Sequence, residues 1–247
     1  MNKFFILFCF VSLNSFAQTI LNTESLFKEI DSTYSVKVNA EADFNFGNIE
    51  LIQFNNSLAI GKRFKSKLIR VSFGYEYISE DKETIANDWS GQLRINHFFN
   101  KNSLFLFLQG QNVISLKLNY RYLLGSGYRH RFIESGKNYF DFSAGFFLEN
   151  ELYQKATNPI YINNFRYSFS AFSNLSISDK IILNTSLYYQ INSASLNDFR
   201  VYLEPRLYFD FYKISFYINN RFRYHSTPYI DVLKSDNEFI LGIEIDI

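Results

Sequence analysis

The sequence predicts an all-β protein, a transmembrane antiparallel β-barrel of about twelve strands. Three observations predict it. Apolar and polar residues alternate with period 2 in segment after segment. Most of these segments run 11–15 residues, where ordinary strands average about 5–6. The connections between them alternate between short and long. Composition agrees: aromatics are 19% of 247 residues and charged residues 20%, which excludes a disordered chain. After the first 17 residues no run of 18 apolar residues occurs, so helices are excluded as the spanning elements.

Residues 1–17 read as a signal peptide. Lys3 supplies the positive start, Phe4 to Val11 the apolar stretch, and Ser15 and Ala17 the small residues that place cleavage before Gln18. Cys9, the only cysteine, lies in this leader, so the mature chain is expected to hold no disulfide and no thiolate metal site. Without Lys3 the basic and acidic residues balance, which argues against nucleic-acid binding. Residues 18–32 form a short N-terminal segment, and 21–31 within it suit a short helix or a loose plug. The barrel is expected over 33–247.

The first strand, 33–46, sets the pattern. Tyr34, Val36, Val38, Ala40, Ala42, Phe44 and Phe46 alternate with Ser35, Lys37, Asn39, Glu41, Asp43 and Asn45. Such a strand has one apolar face and one wet face. A weaker strand follows at 50–61. In 67–78, Ile69, Val71, Phe73, Tyr75 and Tyr77 alternate with Arg70, Ser72, Gly74 and Glu76. Next come 87–99 and 103–110, the latter apolar on both faces in its LFLFL run. The strand at 115–132 carries Leu116, Leu118, Tyr120, Tyr122, Leu124, Tyr128 and Phe132 on one face and Lys117, Asn119, Arg121, Arg129 and Arg131 on the other. Strands at 138–151, 163–177, 181–192, 198–210 and 213–225 follow. The last, 237–247, keeps Phe239, Leu241, Ile243, Ile245 and Ile247 on one face, which suits closure against the first strand.

With the N-terminus periplasmic, the inner turns are 62–66, 100–102, 133–137, 178–180 and 211–212. The outer loops include 79–86, 152–162, 193–197 and 226–236, with 47–49 a short exception. Tyr77, Trp89, Phe99, Tyr128, Phe132, Tyr139, Phe165, Phe199, Phe209 and Tyr224 lie near strand ends, where amphipathic rings suit the bilayer interface.

The runs RYLLGSGYRHRF (121–132) and YFDFSAGFFLENEL (139–152), the late hairpin LEPRLYFDF–KISFYINNRFRYHSTP and the closing FILGIEIDI resemble a bacterial family named for salt-induced outer membrane proteins, domain-of-unknown-function family 481. The likeness covers roughly the last two thirds of the mature chain, and the end in Ile247 departs from the aromatic usual in such barrels. The resemblance implies a small outer-membrane barrel and carries no activity or catalytic residue with it.

Parity points many charges inward, among them Glu76, Arg94, Arg121, Arg129, Arg131, Asp141, Glu149, Glu151, Arg166, Arg200, Glu204, Arg206, Arg221, Arg223 and Glu238. The short turns place Asp141 opposite or near Arg129, and Arg200 opposite Arg223. Two readings follow. Glu149, Glu151, Glu204 and Glu238 neutralise Arg166, Arg200, Arg221 and Arg223 and fill the lumen, or these four arginines form a basic zone for anions. Of the histidines, His97 and His130 face lipid and only His225 points inward. No metal site, cofactor or catalytic set is expected. The fragment Tyr224-His225-Ser226 does not serve a lipid hydrolase, because neighbours in a strand point to opposite faces.

The expected function is a structural or envelope-adaptation component of the bacterial outer membrane, reached after export to the periplasm, with a charged and largely filled lumen. The alternative is a narrow channel for small anionic solutes. An outer-membrane lipid hydrolase is the third reading. Expected partners are membrane lipid and the barrel assembly machinery, with small anionic solutes under the alternative.

Overall fold

The computed structural model describes residues 34–45, 51–155, 158–211 and 214–245. The expected leader and the 21–31 segment lie outside them. The strands are β1 (Tyr34–Asn45), β2 (Leu51–Phe64), β3 (Lys67–Glu80), β4 (Glu83–Phe99), β5 (Asn102–Val113) and β6 (Leu118–Ser135). They continue with β7 (Asn138–Tyr153), β8 (Ile160–Ser178), β9 (Ile181–Asn192), β10 (Phe199–Phe211), β11 (Ile214–His225) and β12 (Ser235–Ile245). A 3-10 turn at Ile114–Leu116 separates β5 from β6. All twelve lie in one sheet, in sequence order, each antiparallel to the next.

Burial is inverted relative to a water-soluble protein. Charged and other polar side chains make up most of the buried residues, among them Arg70, Arg94, Asn96, Gln109, Arg121, Glu149, Arg166, Glu204 and Asn219. Many leucines are turned out: Leu104, Leu106 and Leu108 on β5 are each at least half exposed, as is Leu148 on β7. The solvent around such a surface is hydrocarbon.

The sheet curls. Arg200 on β10 touches Glu149 on β7 at 2.6 Å, although β8 and β9 lie between them. Three strand spacings span about 14 Å along a flat sheet, so the inner faces must turn toward each other. Glu76 on β3 lies within electrostatic reach of Arg221 and Arg223 on β11 and of Glu238 on β12, so the two ends of the sheet face each other across the lumen. The expected closing ladder between the first and last strands is not formed among the described residues: the hydrogen-bonded order stops at β1 and β12.

Turn chemistry corrects some boundaries. Inner turns occupy two residues at 65–66, 100–101, 136–137 and 179–180. The expected long outer loop at 79–86 is a tight hairpin at Asp81-Lys82. Both residues have positive φ, 47° and 69°, as a type I′ turn requires. Residues 83–86 therefore extend β4. Of the other described outer connections, 193–198 and 226–234 remain long, and 114–117 holds the 3-10 turn.

The doubly apolar LFLFL run is also explained. Its leucines face out, and Phe105 and Phe107 enter the lumen and cross Gly127 and Gly125 of β6. A Cβ on Gly125 would lie 2.5 Å from the Phe107 ring. The glycines make room for rings. Between them Ser126 faces out and donates its hydroxyl to the Phe105 carbonyl at 2.9 Å, which satisfies it on the lipid side. Tyr139 is an exception among the expected interfacial aromatics: it lies beneath the Arg131 guanidinium at 4.7 Å.

The outward face gives a direct check. Leu106→Arg should lower stability by about 2–4 kcal/mol if that position sits near the bilayer midplane. Urea unfolding in lipid vesicles reads this; unchanged or increased stability would speak against hydrocarbon at that face.

Candidate functional site

Several of the most buried charges among the described residues gather in the outer half of the lumen. β6 supplies Arg121, β7 supplies Glu149, Glu151 and Tyr153, β8 supplies Arg166, and β10 supplies Arg200. Period 2 alone aims all of them inward. Glu149 is the common partner. It accepts from Arg166 Nε at 2.8 Å and from Arg200 Nη1 at 2.6 Å, and faces Arg121 Nε at 3.6 Å. Glu151 pairs with Arg121 and with Arg200 Nη2, the latter at 3.3 Å. The Arg121 guanidinium also donates to the Tyr153 hydroxyl at 3.2 Å.

Asp198, in the connection before β10, completes the ladder. It accepts from Arg166 Nη2 at 2.7 Å and Asn192 Nδ2 at 3.0 Å, and its other oxygen meets His225 Nε2 at 2.9 Å. Three guanidiniums thus face three carboxyl groups, all of them buried, and the formal charges balance. Burial alone would raise the Asp198 carboxyl. Hydrogen bonds from His225, Asn192 and Arg166 and the Arg166 charge outweigh it and hold the group well below the usual carboxylate range.

Above the ladder lies the β11–β12 connection. Its Tyr229 hydroxyl accepts from Asn164 Nδ2 and Arg166 Nη2, both at 2.7 Å, and donates to Asp198 Oδ2 at 2.8 Å. Burial raises the Tyr229 phenol, so it keeps the proton it donates. Ile230, next to it, is buried against Leu116, Leu118 and Tyr153. Below the ladder is a cavity of about 60 Å³, lined by Phe105, Phe107, Phe147, Phe172 and Tyr188, the amides of Gln92, Gln109 and Gln190, and Arg94. That is room for a few waters.

Arg221 and Arg223 belong to a second cluster. Glu204 accepts from Tyr202, Arg206 Nη2 at 2.9 Å and Asn219 Nδ2 at 2.8 Å, with Arg221 Nε at 3.5 Å. Arg223 Nη1 donates to Asp236 Oδ2 at 2.8 Å, and Arg223 and Arg221 share Glu238. The four arginines singled out from the sequence therefore divide between two clusters, Arg166 and Arg200 in one, Arg221 and Arg223 in the other. Each has a carboxylate within 3.5 Å.

Two expected pairings shift. Arg200 lies opposite His225, not Arg223, because β10 runs on to Phe211 and pairs with Ile214. Asp141 lies opposite Arg131, with Nε to Oδ1 at 2.9 Å, and Arg129 lies opposite Ser143. Ser226, next to His225, spends its hydroxyl on the backbone of 197–199. Residue-level reading missed Asp198, Asp236 and Tyr229. Parity with Arg200 places Asp198 on the inner face; nothing in the pattern singles out Tyr229.

A model of the family described as "Protein of unknown function, DUF481" matches residues 38–247. No curated protein matches. Among solved structures, the chain is similar to one titled "NanC porin structure in rhombohedral crystal form", at 8% identity and TM-score 0.49, over 87% of this chain and 100% of that one. It is also similar to one titled "Bacterial polysaccharide outer membrane secretin", at 14% identity and TM-score 0.43, over 85% and 78%.

Breaking the ladder should be costly. Arg166→Ala, which leaves Glu149 and Asp198 without their shared partner, should lose about 3–5 kcal/mol. Arg131→Ala, at a part-exposed pair, should lose under about 1 kcal/mol. Urea unfolding in vesicles compares the two. Asp198 also sets a pH dependence. Its carboxyl is lowered in the folded state, so its stabilisation is complete above the unfolded value of about 3.9 and is lost as pH falls through the folded value. Asp198→Asn should lower the thermal midpoint of the folded-to-unfolded gel shift at neutral pH, and the gap to wild type should narrow in strong acid.

Proposed function

The chain belongs to the DUF481 family of proteins of unknown function, and from that premise we propose a non-enzymatic outer-membrane barrel, a structural or envelope-adaptation component whose lumen is held shut. The ladder around Glu149 carries this reading. Three arginines and three carboxylates, buried and paired with one another, occupy the outer half of the lumen. A path for ions would need unmatched charge lining water. Here the charge is consumed within the wall. The outward apolar face supports a bilayer position, and the two-residue inner turns with longer outer loops support the orientation expected from the sequence.

Membrane lipid and the barrel assembly machinery are the partners this reading needs. The second reading is a narrow channel for small anionic solutes, with Arg166, Arg200, Arg221 and Arg223 as its anion-binding residues. The cavity beneath the ladder favours it, since free space persists in the lumen there.

Planar-bilayer recording separates the readings. The wild-type barrel should show no steady conductance. Steady anion-selective conductance, weakened when Arg200→Gln and Arg223→Gln are combined, would replace the closed barrel with the channel.

A further inference from the structure

The connection 226–234 crosses the barrel mouth. It leaves β11 and returns to β12, yet its central residues pack on the far wall. Tyr229 bonds Asn164 and Arg166 of β8, and Ile230 sits among Leu116, Leu118 and Tyr153 from the β5–β6 connection, β6 and β7. The strap is fastened at its feet by backbone: Ser226 N donates to the Phe199 carbonyl at 3.0 Å, and His225 N to the Lys234 carbonyl at 2.8 Å. Among the described residues, the backbone bond within its middle is internal, Val232 N to the Ile230 carbonyl at 3.0 Å. The middle meets the far wall through side chains, chiefly one phenol and one isoleucine.

That construction is a hinged one. Both feet sit on adjacent strands, and the span between them has no sheet ladder to break. The Tyr229 hydroxyl has one proton and two lone pairs, and all three are used. It therefore clamps the outer end of the ladder, since Arg166 and Asp198 are its partners. When it leaves, those two groups meet water, which can satisfy them. Arg166 is then free to loosen from Glu149, and the ladder loses its outermost rung. Segments held by few contacts are the ones that open locally.

We propose that strap 226–234 is the gate of this barrel, and that its release through Tyr229 and Ile230 admits water and small solutes to the cavity beneath the ladder. The proposal rests on the closed-lumen reading. Its test uses Ser170→Cys, a buried position lining the cavity. The only native cysteine, Cys9, falls in the expected leader. The Cys variant is prepared in outer-membrane vesicles with the outer face outward and labelled with a charged methanethiosulfonate. Tyr229→Phe, which removes only the hydroxyl, and Ile230→Ser are added separately, with folding checked by gel shift. Each folded strap variant should raise the labelling rate about tenfold and produce conductance steps in planar bilayers. Labelling and conductance that stay at the wild-type level in folded variants overturn the gate and leave the closed barrel standing. Steady conductance of the wild type, with equal labelling in all forms, overturns the closed barrel as well. Should Tyr229→Phe fail to fold, Ile230→Ser decides alone.

Discussion

One carboxylate, Glu149, organises the interior. It takes hydrogen bonds from Arg166 and Arg200, on two different strands, and faces Arg121 on a third. A barrel in lipid must turn its polar residues inward, and a lumen of this width cannot hydrate them all. Charges placed there have to be matched by one another, because an unmatched buried charge costs several kcal/mol. Glu149 meets that constraint for three guanidiniums at once, with Glu151 and Asp198 completing neutrality. The strands around it are thereby fixed in position as well as in charge.

Aromatic rings fill what the ladder does not. Phe105 and Phe107 enter over the glycines of β6, and Phe107 meets Phe147 with ring centroids 6.3 Å apart. Phe172, Tyr188 and Tyr202 continue the chain of edge contacts on the next strands. Guanidiniums lie on two of these rings, Arg94 over Phe105 and Arg129 over Phe172. Cation and ring attract through the ring quadrupole, so cations gain a favourable partner without a second charge. The interior is thus a mixture of ion pairs and rings, unlike the uniformly polar lumen of a wide pore.

Much of this was legible in the sequence because a strand has a period of 2. Alternation located twelve strands and assigned the faces of Arg166, Arg200, Glu149 and Glu204 without any tertiary information. Even the LFLFL segment proved a strand, although both its faces are apolar. Register was harder. A turn placed one residue early moved the β10–β11 pairing by two, and so Arg223 was set opposite Arg200 in place of His225. Local pattern has no access to which two residues carry a hairpin bend, and the charged run around Asp81 and Lys82 looked like a loop. Tyr229 lies in an irregular connection, where no periodicity exists, so its role is visible only once the opposite wall is known.

The tight bend at Asp81-Lys82 has a consequence for what the cell presents. If the longer connections face outward, the described connections of the rim are uneven in length. The β3–β4 corner is a two-residue bend, while 193–198 and 226–234 are longer and carry exposed Leu196 and Leu233. Anything approaching from the environment, an antibody or a phage fibre, meets these longer connections before the short β3–β4 corner. That corner offers a place to splice in a tag without disturbing the ionic interior.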